Sequence, residues 1–71
     1  LWRRRRSRKA LSAFLESAIK RNKPVALLLR TGERLEGIVH WADMGALLLE
    51  LSDGTGELVV QRHIVDDWEL A

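Results

Sequence analysis

The sequence predicts a mainly β domain with one N-terminal α-helix and a strongly bent, five-stranded antiparallel sheet forming a small open barrel. Three observations carry this. An apolar stripe at helical spacing runs through residues 10–23 and meets Pro24. Five short apolar or alternating segments then follow within residues 25–68, punctuated by Gly32, Gly45, Gly54 and Gly56. The longest of them contains Gly37, and a glycine inside a strand marks a sharp bend or the close approach of another backbone. Helix first and tightly connected strands after it are the pattern of a small bent-sheet barrel.

Taken in order, residues 1–9 (LWRRRRSRK) have no period that could pack, and they read as a basic flexible arm ahead of a domain covering residues 10–71. A run of like charges stays solvated or reaches for an anion. In residues 10–23, Leu11, Phe14, Leu15, Ala18 and Ile19 make one apolar face. Ser7 or Ser12 can cap its start. Lys20, Arg21 and Lys23 in its last turn suit the negative end of the helix dipole, and Pro24 ends it. Strands are expected at residues 25–30, 33–41, 46–51, 57–61 and 64–68. In the second, Leu35, Val39 and Trp41 fall on one side and Arg34, Glu36 and His40 on the other. The third, ALLLEL, is apolar enough to predict burial on both faces. Asp43 beside Gly45, and the SDGTG cluster at residues 52–56, supply turns.

Composition narrows the function. With 71 residues the chain has one small core, yet 46% of it is hydrophobic, more than such a domain easily hides, so self-association is expected. There is no cysteine, which excludes disulfides and thiolate metal sites. No apolar run approaches the roughly 18 residues of a membrane span, and the basic start lacks the apolar stretch of a signal peptide, so a cytoplasmic protein without a membrane partner is expected; Leu1-Trp2 before four arginines also fits the cytoplasmic end of a membrane segment upstream. The net charge of +2 conceals a division: +6 over residues 1–9, +3 over residues 10–30 and −7 over residues 31–71. A surface for polyanions must therefore come from the N-terminal part.

Nothing assembles a catalytic set. No nucleophile, base and orienting group recur in a usable pattern, no glycine-rich phosphate loop is present, and no cofactor is implied. His40 and His63 lack the neighbours of a metal site. Asp66 and Asp67 are adjacent in a strand and so point to opposite faces. Trp41 and Trp68 read as packing residues, whereas Trp2 among arginines can stack on a base, meet a membrane surface or contact another subunit.

Residues 14–68 resemble the Sm-like family, and within it the bacterial Hfq branch. The resemblance rests on Phe14-Leu15 in the helix, the basic helix end before Pro24-Val25, the set Gly32, Leu35, Gly37, Val39 and Asp43, the pair Leu48-Leu49, and Val60-Gln61-Arg62-His63-Ile64 before a last short strand. It implies a homo-oligomeric ring, six subunits in most Hfq proteins and often seven in archaeal and eukaryotic relatives, so a hexamer is expected with a heptamer left open; the fourth strand of one subunit pairs with the fifth of the next. It further implies a non-catalytic RNA chaperone and post-transcriptional regulator with a preference for uridine-rich single strands. Arg62 and His63 fall on the pair that contacts uracil and phosphate near the pore, Asp43 on an aspartate that orders the nearby loop, and Met44 on its polar neighbour. Lys20, Arg21 and Lys23 fall on the basic rim, which Arg3, Arg4, Arg5 and Arg6 of the arm extend. Departures from the pattern are as telling. Gly45 stands where Hfq has an aromatic that stacks on the base, a contact worth about 1–3 kcal/mol. Leu11-Ser12-Ala13 replaces a glutamine segment. Leu28 with Glu33 and Glu36 argues against purine-tract binding on the opposite face. These departures keep a second expectation open: a structural or protein-interaction ring whose arm binds polyanions without specificity.

Overall fold

The computed structural model describes residues 7–71. One helix, α1 (Arg8–Arg21), precedes five strands: β1 (Val25–Leu29), β2 (Arg34–Ala42), β3 (Ala46–Leu51), β4 (Glu57–Gln61) and β5 (Val65–Leu70). A single 3-10 turn at Arg62–Ile64 joins the last two. The strands form one antiparallel sheet in the order β4-β3-β2-β1-β5, open at both ends.

The helix starts two residues before the position expected from its apolar stripe, so Arg8 and Lys9 are helical. Ser7 is the cap, its hydroxyl accepting the Ala10 N–H at 3.1 Å. The helix ends at Asn22, which sits in the left-handed region at φ 52° and turns the chain before Pro24 can. Asparagine tolerates that conformation better than most side chains, so it closes the helix and leaves Lys23 beyond the last turn. Leu11, Leu15 and Ala18 fall on one stripe and are buried against the sheet. With Val25, Leu27, Leu29, Val39, Leu47, Leu49, Val60, Val65 and Trp68 they make a single core. Each fully buried leucine contributes about 1.5–3 kcal/mol relative to exposure.

Three features differ from the sequence expectation, each for a local reason. β3 is covered on one face only: Leu47 and Leu49 are buried, Leu48 and Leu51 are half-buried, and Glu50 is exposed. Among the described residues, one α-helix is available to cover the sheet. Trp41 does not share a side with Leu35 and Val39. The register with β3 slips between Val39 and Trp41, with Val39 opposite Leu49 and Trp41 opposite Leu48, so His40 is an inserted residue. One extra residue reverses the alternation beyond it. Ala42 then takes the inner side and Trp41 is left 42% exposed. Finally, the 3-10 turn holds Ile64, so β5 starts one residue later and runs on to Leu70. β1 correspondingly ends at Leu29, and β2 is displaced by one residue to Arg34–Ala42.

Gly37 is where the sheet folds over. It pairs with Val25 on one side and Leu51 on the other. A Cβ at this position would lie 2.0 Å from the Glu50 carbonyl oxygen, closer than any side chain tolerates. Gly45 is a natural control, since a Cβ there meets only Asp43 Oδ1 at 3.8 Å. Gly37→Ala is therefore expected to cost at least the roughly 1–3 kcal/mol of an overpacked core, with Gly45→Ala close to neutral. Urea midpoints of the two variants check this, and equal midpoints would refute it.

Candidate nucleic-acid interface

The turn between β2 and β3 is built by Asp43. Its Oδ1 accepts the N–H groups of Gly45 at 2.8 Å and Ala46 at 2.9 Å, and its own N–H donates to the Ala46 carbonyl at 2.9 Å. Those two bonds to the carboxylate, helped by the nearby Arg62 charge, hold the Asp43 carboxyl below its ordinary value of 3.8. Asp43 is thus occupied in shaping the loop, as the resemblance implied. The turn projects Met44 into solvent, 96% exposed, and Gly45 offers no side chain.

Against this turn lies the 3-10 turn. The Arg62 N–H donates to the Gly45 carbonyl at 2.9 Å. Its guanidinium reaches three oxygens of the same chain: Nη1 donates to the Asp43 carbonyl at 2.7 Å, and Nη2 to Ser12 Oγ at 2.6 Å and the Arg8 carbonyl at 3.4 Å. Arg8 answers in the other direction, its Nη1 donating to the carbonyls of Arg62 at 2.9 Å and Val65 at 3.0 Å. His63, between those two carbonyls in sequence, is exposed. An open pocket of about 420 Å³ sits beside the group. Leu15, Ile19, Ala42 and Met44 line it with apolar surface, and Ser12, Glu16, Asp43 and Arg62 give it polar edges.

The fold therefore gathers Asp43, Met44, Arg62 and His63 at one end of the domain. The second basic group stands apart. Lys20, Arg21 and Lys23 are exposed at the far end of α1, and at 1.5 Å per residue Lys20 is about 18 Å along the axis from Arg8. Arg3, Arg4, Arg5 and Arg6 lie outside the described residues. Sequence reasoning missed Arg8 and Ser12 as members of the first group. Their only signal is the four-residue spacing that puts both on one helix face; their partner is 54 residues from Arg8 and 50 from Ser12.

Another face of the sheet has the opposite character. A shallow cleft there is lined by Glu33, Glu36 and Asp53 around Leu35, Leu51 and Leu58, with Arg34 paired to Glu36. His40 Nε2 meets Glu50 Oε1 at 2.6 Å. Among the described residues, no helix is long and apolar enough to cross a membrane.

A capped helix laid on a bent, open, five-stranded antiparallel sheet, with an aspartate-built turn against a basic 3-10 turn, defines the Sm-like fold. The sequence model described as Hfq related matches residues 14–66, and the chain belongs to that family. Solved structures agree on the fold. A 1.55 Å crystal structure of the pleiotropic translational regulator Hfq superposes with a TM-score of 0.74 at 15% identity, covering 83% of this chain and 95% of that one. An Hfq protein from Anabaena sp. gives 0.72 at 20% identity, covering 92% and 100%. No curated protein sequence matches the chain significantly.

Because the Asp43 carboxyl is held below 3.8, it contributes stability that is fully present above that value and is lost as pH falls through the lower, folded one. Asp53, bonded to the Thr55 hydroxyl and N–H, acts in the same direction. Asp43→Asn keeps an acceptor for the two N–H groups but not the charge. Its urea midpoint should lie below wild type at pH 6, and the gap should close below pH 4; a gap independent of pH would contradict the assignment.

Proposed function

We propose that the chain is a non-catalytic RNA-binding subunit of a homo-oligomeric ring, acting as an Hfq-like RNA chaperone with a preference for uridine-rich single strands. The observation that carries this is membership of the Hfq-related family across residues 14–66, on a chain with ten of its twelve Lys and Arg before residue 31 and nine of its ten acids after it. Two further features support it. β4 and β5 each present an unpaired outer edge, and Leu58, Val59 and Leu70 on them are exposed by 42%, 54% and 55%. Edges of that kind are concealed when one copy pairs with the next, and repeating a heterologous pairing by rotation closes a ring. A hexamer is the assembly the family resemblance favours.

In this reading, phosphates are neutralised by Lys20, Arg21 and Lys23 on the helix end and by Arg3 to Arg6, while the exposed imidazole of His63 and the side chain of Met44 face the bases. Backbone contacts provide most of the affinity and little sequence discrimination. The uridine preference is correspondingly modest, because Gly45 supplies no stacking surface.

Labelled oligo-U, oligo-A and scrambled RNA titrated at low and moderate salt, with the mass from light scattering, test the proposal. A ring that prefers oligo-U at moderate salt is expected. Replacing Lys20, Arg21 and Lys23 by alanine should flatten the dependence of log affinity on log salt by about 2, at roughly 0.7 per phosphate contact on a single strand. His63→Ala should lower oligo-U affinity about fivefold, the worth of one hydrogen bond, without lowering binding to oligo-A. The internal commitment of the Arg62 guanidinium and the acidic sheet favour a second reading, a scaffold ring with a basic arm. Removing residues 1–6 separates the two: loss of all RNA binding supports the scaffold, and survival of oligo-U preference supports recognition by the folded domain.

A further inference from the structure

We propose that Arg62 is a positioning residue and Arg8 its counterpart, the two forming a reciprocal clasp that fixes the 3-10 turn so that His63 is presented to RNA. The part of this that concerns RNA rests on the function proposed above.

A guanidinium that reads a base or a phosphate must have N–H groups pointing at the ligand. Both terminal nitrogens of Arg62 are instead directed at oxygens of its own chain, from the β2–β3 turn and from the first turns of α1. An RNA oxygen could take the three N–H groups so engaged only by displacing acceptors already within hydrogen-bond distance. Arg8 reaches back to the carbonyls of Arg62 and Val65, one on each side of the His63–Ile64 pair. The Arg62 N–H is tied to Gly45, and the Val65 N–H to the Arg62 carbonyl. The backbone on both sides of His63 is therefore held from two directions while the His63 side chain itself is exposed.

The rigid fork of an arginine suits this task. Its donors leave in fixed directions in one plane, so a single side chain can join three elements, whereas a lysine ammonium is a point charge on a flexible stem.

The test compares the full chain with Arg8→Gln, Arg62→Gln, Arg62→Lys and the Arg8→Gln/Arg62→Gln double variant, measuring oligo-U affinity over a salt series and urea midpoints without RNA. Under the clasp, Arg62→Lys and Arg62→Gln weaken binding by the same factor, about fivefold for loss of a placed hydrogen bond. The double variant is then no weaker than the worse single, because the two arginines act as one unit. The amide resonance of His63 shifts in Arg8→Gln, while those of Leu47 and Leu49 in β3 stay in place. Retention of wild-type affinity by Arg62→Lys, together with a salt slope lowered by about 0.7 in Arg62→Gln, would make Arg62 a direct phosphate contact and overturn the proposal. So would urea midpoints that fall additively. If wild type binds no oligo-U at any salt, the RNA-binding reading fails and the presentation of His63 to RNA fails with it; the coupling of the two urea effects and the His63 resonance then decide whether the clasp itself stands.

Discussion

The contact on which the rest of the structure depends is the approach of the β3 backbone to Gly37. With the Glu50 carbonyl oxygen 2.0 Å from where a Cβ would stand, only a glycine lets β2 bend there while keeping partners on both sides. The bend allows a nine-residue strand to serve one small core with both its halves. It leaves a concave inner face that a single helix can cover with Leu11, Leu15 and Ala18. It also aims the far end of β2, with Asp43, toward the turn that follows β4. A flat sheet of the same sequence would leave these turns apart and much of the apolar surface wet.

The second organising feature is the division of charge. Cations concentrated before residue 31 and acids after it mean that the sheet and the helix meet a polyanion with opposite sign. The acid-lined cleft beside β2 and β3 repels phosphate, and its arginine is already paired with Glu36. Among the described residues, Lys20 and Arg21 in the last turn of the helix form no ion pair. Charge placement thus favours approach of a polyanion from the helix side over the acid-lined cleft. Arg62 is the instructive case. A residue that the family resemblance assigns to a ligand is used by the fold to hold the 3-10 turn against α1 and the β2–β3 turn.

The core leaves apolar surface and two strand edges of a single copy uncovered. Among the described residues twelve buried side chains form one cluster, yet both outer strands keep an open edge, and the exposed Leu58, Val59 and Leu70 lie on them. A chain this short has too little polar surface to cover its apolar content. The excess sits at the strand edges, where backbone donors and acceptors are also unpaired, so pairing with another copy satisfies both at once.

The sequence by itself determined the element types, their order, the bend at Gly37, the turn at Asp43 and the buried stripe of the helix. These depend on local spacing and on residues with few conformational options, so they are legible without partners. Trp68 as a packing residue was legible from its large apolar ring alone, since its strand does not alternate: Val65 and Trp68 are both buried because the register with β1 slips at Asp66. What only the tertiary structure decided depended on pairs far apart in the chain. The bulge at His40 is a matter of register between two strands, and no property of His40 announces it; it turned Trp41 outward where the period of the strand had placed it inward. The ending of α1 at Asn22 was a choice between two adequate signals, which the geometry of the path into β1 resolved. The joining of Arg8 and Ser12 to Arg62 spans more than two thirds of the chain, and a hydrogen bond from a flexible side chain leaves no periodic trace. Spacing fixes which faces are buried, whereas the partner of an individual polar side chain exists only once the chain has been folded back on itself.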